Sequence, residues 1–177
     1  YLYELKTLEL MSQLESGKLD ILILPYLEGM DNYDCYDLFV EELLLATYKG
    51  HPLSKKKNCT LASLEGHHVL TLEDGHCLRD QSLDYCFAAG AEEDGHYQAT
   101  SLETLRHMVS GGAGITLLPE LATVNNELEG IQCQRFKKPA PKRDIALLCR
   151  PNYTRPELVR AIVAEVRMSV KPALKKG

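Results

Sequence analysis

The chain predicts an α/β protein, built either as two α/β lobes or as one doubly wound sheet. Three observations lead there. Segments with apolar residues at helical spacing alternate with short apolar runs along the sequence, the pattern of helices laid against a sheet. One of those runs, ILILP, has no polar alternation and so suits a strand buried on both faces of a parallel sheet. The 177 residues, 45% of them hydrophobic, can supply the core of one ordinary domain or of two small lobes.

The elements follow in order. LYELKTLELMSQLESGK spaces Leu5, Leu8, Met11 and Leu14 as one helical face and stops at Ser16-Gly17, a usual helix exit. Asp20 leads into the strand ILILP. Leu38 to Tyr48 reads as one or two strands, HPLSKKKN as a polar turn, LASLEG as a short helix behind a Thr60 cap, and VLTL as another strand. Cys77 to Ala89 reads as a helix offering Leu78, Leu83 and Phe87 for burial, with Gly90 as its stop. After HYQAT, Thr100 and Glu103 form a capping box that opens SLETLRHMVSGG, with Leu102, Leu105 and Met108/Val109 on one face. The GGAG loop, Gly111 to Gly114, follows a helix and precedes a strand. That is the reverse of the nucleotide-binding order, so it reads as a tight turn and not as a phosphate cradle. ITLLPELA is then a strand and a short helix, and IALLCR a last buried strand. Thr154 and Glu157 form a second capping box before ELVRAIVAEVRMSV, with Leu158, Ile162, Val163 and Val166 at helical spacing. The basic tail KPALKKG reads as frayed and solvated.

Composition removes several function classes. The formal net charge is -5 and there is no long Lys/Arg run, so these residues do not form a nucleic-acid surface, which needs clustered cations. No apolar run approaches the roughly 20 residues that span a bilayer, and YLYELKTLEL lacks the blocks of a signal peptide. The expectation is a soluble, cytoplasmic protein without membrane contact. Six cysteines, Cys35, Cys59, Cys77, Cys86, Cys133 and Cys149, are scattered singly with no CxxC pair. Cys35, Cys59, Cys133 and Cys149 read as small buried hydrophobes in a reducing compartment. His67, His68, His76, Cys77, Cys86 and His96 fall in one region, but their spacing fits no close-paired zinc pattern. No metal and no cofactor is expected.

Cys77 and Cys86 are the pair that raises a question of chemistry. Nine residues along a helix amount to about 13 Å and half a revolution, whereas a disulfide needs Cα atoms within about 7 Å. Two readings stay open on spacing alone. Either Cys86, between Tyr85 and Phe87, fills the core while Cys77 merely starts the helix, or the pair is a switch that rearranges when oxidised. Cys77 stands where helix N-terminal amides favour a thiolate, with His76 before it and Arg79 two residues on. Glu73, Asp74 and Asp80 oppose that effect.

LEDGHCLRDQ, the second cysteine nine positions on, and ATSLETLR followed by GGAGITLLP resemble the regulatory domain of the hydrogen-peroxide-sensing branch of the LysR-type transcriptional regulators. The resemblance runs from QLESGKLD through KRDIALLCRP. The first motif is specific to that branch; the GxGITLLP pattern is shared across LysR-type effector domains.

The resemblance implies two Rossmann-like subdomains, similar to a periplasmic binding protein and joined by two crossovers. Residues 1–39 and 146–177 would form subdomain I without its opening strand, and 40–145 subdomain II with the redox cysteines. The DNA-binding winged helix-turn-helix would lie outside this chain. It implies Cys77 as the peroxide-reactive cysteine, Cys86 as its resolving partner in a Cys77–Cys86 disulfide, and His76, Arg79 and Arg143 as thiolate support. Thr7 would join His76 and Cys77 in holding peroxide. It further implies a stoichiometric sensor and not an enzyme, a homodimer through this domain, and a tetramer on DNA. The other partners would be RNA polymerase and a thiol reductant such as glutaredoxin. The alternatives are a small-molecule-binding LysR effector domain, which two lobes with a crevice would suggest on their own, and a thiol peroxidase.

Overall fold

The structure is a computed structural model that describes residues 1–124 and 130–174. In chain order its elements are α1 (Thr7–Glu15), β1 (Ile21–Pro25), β2 (Asp34–Tyr48), β3 (His68–Leu72), α2 (Cys77–Ala88), β4 (Glu92–Ala99), α3 (Leu102–Ser110), β5 (Thr116–Pro119), β6 (Ile131–Gln134), β7 (Lys142–Cys149) and α4 (Pro156–Leu174). Short 3-10 turns join some of them. No helix among the described residues is long and apolar enough to cross a membrane. The chain divides into two compact units, Tyr1–Glu41 with Arg143–Gly177, and Glu42–Lys142.

In the first unit β1 lies antiparallel to β7, with Ile21 opposite Cys149 and Pro25 opposite Ile145. Alternation on β7 sends its side chains to two faces. Ala146 and Leu148 pack with Leu14, Leu22, Leu24 and Met30, whereas Ile145, Leu147 and Cys149 pack with Leu38, Val159 and Val163. The strands are thus covered by α1 on one side and α4 on the other. Several expectations are corrected here. ILILP is an antiparallel strand with Ile23 exposed, because an unbroken apolar run carries no information about strand direction. The buried face of α1 is Leu14 with Leu10 and Met11, while Leu8 is exposed. On α4, Leu158 is exposed and Val159 takes the buried place beside Val163, while Glu157 pairs with Arg160 one turn on. The helix also continues through Lys171 to Leu174, a stretch expected to fray; residues 175–177 lie outside the described residues.

The second unit holds two sets of strand pairings. The end of β2 runs antiparallel to β5, Leu43 opposite Pro119, and to β6, Tyr48 opposite Ile131. Strand β6 has no counterpart in the sequence reading. Strands β3 and β4 are parallel, joined through α2 as a βαβ crossover. Leu43, Leu45, Leu64, Leu70, Leu105, Leu117 and Leu118 are fully or almost fully buried and share one core. Helix α3 buries Leu105 and Val109 as its spacing predicts. Its cap is Ser101, whose Oγ accepts from Thr104 N at 3.1 Å, one residue later than the expected Thr100, and Glu103 instead pairs with Arg106 at 2.8 Å. The GGAG turn closes α3 as read: a Cβ on Gly114 would stand 2.9 Å from Leu70 Cγ, so the close approach to β3 requires glycine.

Candidate functional site

Crossover helices begin at the carboxyl ends of strands, where open α/β folds place their chemistry. Strand β3 ends at Leu72 and α2 begins at Cys77, with His76 as an extended N-cap residue. The helix then runs unbroken to Ala88. Gly90 closes it at φ +76°, which brings the Ala91 amide back to the Cys86 carbonyl at 3.0 Å. Leu78, Leu83 and Cys86 are buried on the inner side. Phe87, expected to be buried with them, is exposed, because it follows Cys86 by one residue and turns about 100° away from the core.

The two cysteines occupy different environments on this helix. Cys77 is half-buried at its first residue, and Cys86 is fully buried. Both are free thiols, separated by about 13 Å of helical rise and half a turn. Burial pushes the Cys86 thiol up to about 12, so it is protonated at neutral pH and a poor nucleophile. Cys35, expected to be buried, is exposed, whereas Cys59 and Cys149 are buried and Cys133 is half-buried.

Three of the expected residues gather at the start of α2. His76 and Cys77 are consecutive, and Arg79 follows in the first turn. Arg79 Nη2 lies 3.0 Å from each carboxylate oxygen of Glu93. Its Nη1 lies 3.3 Å from Asp74 Oδ1 and 3.5 Å from Asp80 Oδ1. Two of the carboxylates that compete with a thiolate are therefore drawn to the arginine, and Glu73 lies 4.0 Å from His76 Nε2. Thr7 and Arg143 belong to the other unit. Thr7 is the first residue of α1 and half-buried. Arg143, on β7, donates through Nε at 2.7 Å and Nη2 at 2.5 Å to Oε1 of the buried Glu41.

Glu93 and Glu41 are the residues that sequence reasoning misses. Each holds an arginine from a distance of 14 and 102 positions respectively, so no local spacing announces either.

The sequence profile of the LysR substrate binding domain matches residues 1–171. The chain belongs to the LysR substrate-binding domain family. Within it, the DNA-binding transcriptional dual regulator OxyR of Escherichia coli K12 is 48% identical over 152 residues, covering 85% of this chain and 50% of that protein. The hydrogen peroxide-inducible genes activator of Haemophilus influenzae is 42% identical over 179 residues, covering 99% of this chain and 60% of its own length. A crystal structure of the oxidized form of OxyR superposes with a TM-score of 0.85 at 43% identity, covering 97% of this chain and 81% of that one. The reduced form gives 0.84 at 40% identity, with 96% and 80% covered. This LysR-family chain thus spans about half the length of the curated relatives it matches.

Proposed function

We propose that this chain is the redox-sensing regulatory part of a hydrogen-peroxide-responsive LysR-type activator. The observation that carries the reading is the contrast along α2: a half-buried thiol at the helix start, and a fully buried, protonated thiol nine residues on that cannot reach it while the helix is intact. The likeness to relatives named as peroxide-inducible activators supports it.

In the first step the Cys77 thiolate attacks one oxygen of hydrogen peroxide. The O–O bond breaks, hydroxide leaves and takes up a proton as water, and Cys77 becomes a sulfenic acid. The Cys86 sulfur then attacks the Cys77 sulfur; the S–S bond forms and the sulfenic oxygen leaves as a second water. The helix between them must unwind for this, so a small oxidation biases an element with two packings. A dithiol reductant such as glutaredoxin then passes two electrons and two protons to the Cys77–Cys86 disulfide, restoring both thiols as its own cysteines form a disulfide. His76 and Arg79, beside Cys77 at the start of α2, favour its thiolate. The whole regulator would be a homodimer through this domain and a tetramer on DNA, contacting DNA through a separate N-terminal domain and RNA polymerase when activated. As a stoichiometric sensor the chain consumes one peroxide each time it is oxidised, and reacts again only after the reductant has reset it.

The roles of the two thiols separate in mutants. Cys86→Ser is expected to accumulate a Cys77 sulfenic acid that a sulfenic-selective probe captures, and Cys77→Ser is expected to give neither sulfenic acid nor disulfide. An unreactive Cys86→Ser protein would overturn the assignment of the attacking sulfur.

A further inference from the structure

Glu93 has no part in the sensing chemistry above, yet polar contacts around α2 converge on it. Both carboxylate oxygens accept from Arg79 Nη2 at 3.0 Å. The Thr71 hydroxyl donates to Oε1 at 2.6 Å, and Gln98 Nε2 stands 3.5 Å from the same oxygen. The backbone brings these groups together: Val69 lies opposite Glu93 on the parallel strands, then the register shifts so that Thr71 faces Gln98.

The partners of Arg79 are not equivalent. The side chains of Arg79 and Glu93 are 17% and 19% exposed, while those of Asp74 and Asp80 are 85% and 70% exposed. Charge-assisted hydrogen bonds are strong where water is excluded, and pairs with exposed carboxylates contribute little. Glu93 therefore fixes Arg79. Because Thr71 is buried in β3, the series Thr71, Glu93, Arg79 pins the first turn of α2 to the β3–β4 sheet.

We infer that Glu93 is a positioning residue that holds α2 in its reduced, helical packing through Arg79 and so sets how readily the Cys77–Cys86 disulfide closes. The inference rests on the peroxide-sensor reading. Disulfide closure unwinds the segment that Arg79 anchors, so a tie made in the helical packing favours the dithiol, and its removal favours the disulfide.

The test is a redox equilibrium. In a buffer of reduced and oxidised dithiothreitol, the Cys77 and Cys86 thiols pass two electrons and two protons to the oxidised reagent as their S–S bond forms. Glu93→Gln keeps the side-chain shape and removes the charge, and is expected to raise the disulfide-to-dithiol ratio at fixed buffer composition about tenfold. Thr71→Val is expected to move it the same way by less. A general loss of stability would affect both redox forms and leave the ratio unchanged; a ratio within about twofold of wild type overturns the inference. Hydrogen exchange on the fully reduced proteins needs no disulfide: the α2 amides of Glu93→Gln should exchange about tenfold faster with α3 unaffected, and equal protection of α2 overturns the inference. If Glu93→Gln does not fold, Thr71→Val carries both readouts. If hydrogen peroxide leaves wild-type Cys77 and Cys86 reduced, the sensor reading fails, and the exchange result still decides whether Glu93 holds the helix.

Discussion

Two thiols nine residues apart on one helix differ in what they can do. Cys77 meets solvent at the N-terminus of α2, while burial keeps Cys86 protonated. A limiting amount of iodoacetamide at about pH 8 should therefore label Cys77 at least ten times faster than Cys86, as read by peptide mass spectrometry on the reduced protein. The raised thiols also set a pH dependence. Burial lifts Cys86 to about 12 and Cys133 to about 11, above the ordinary thiol value near 8.5. Their contribution to stability is complete below that ordinary value, and it is lost as pH rises toward the folded values, because the unfolded chain gives up its protons first. The urea midpoint should fall between about pH 8.5 and 10.5, and fall less steeply in Cys86→Ala. The cysteine spacing, His76 and Arg79 are legible in the sequence, since they lie side by side. The exposure of Cys35 is not, because a lone cysteine carries no periodic signal of its surroundings.

Helices are more legible than strands, for a physical reason. A helix writes its buried face into spacings of three and four, so α3 is visible in the sequence with its buried Leu105 and Val109, whereas α2 is visible in its bounds but not fully in its face, since Phe87 turns outward. A cap depends on one side chain reaching one amide, and at α3 two neighbouring hydroxyl residues compete for the place. Ser101→Ala should cost about 1 kcal/mol in urea unfolding, and Thr100→Ala less than half of that, because the Thr104 amide bonds to Ser101 Oγ. Strand direction depends on a partner far along the chain. Ile21 on β1 pairs with Cys149 on β7, so the apolar run ILILP announces a strand but not its antiparallel neighbour. Strand β6, IQCQ, alternates over only four residues and half of them are polar, so it does not stand out from a loop, whereas the equally short β5 is marked by its apolar run TLLP.

Across the whole molecule, the alternation of helices and apolar runs suffices for an α/β fold, and one continuous stretch holds His76, Cys77 and Arg79, the candidate site residues that meet at the start of α2. VLTL closes β3, and LEDGHCLRDQ carries the chain from its last residue, Leu72, into the first turn of α2. The carboxylates that hold the two arginines stay hidden. Glu93 and Glu41 reach Arg79 and Arg143 only after folding has brought distant segments together, and charge alone does not single them out among the 25 acidic residues.

The molecule acts as a sensor only if peroxide links Cys77 to Cys86 across a helix that must open, and non-reducing peptide mass mapping of the wild-type chain after hydrogen peroxide decides this. One dominant linked peptide joining Cys77 and Cys86 is expected, absent before oxidation and absent in Cys77→Ser. A pair that stays reduced at peroxide concentrations that already oxidise exposed Met168 would contradict the mechanism.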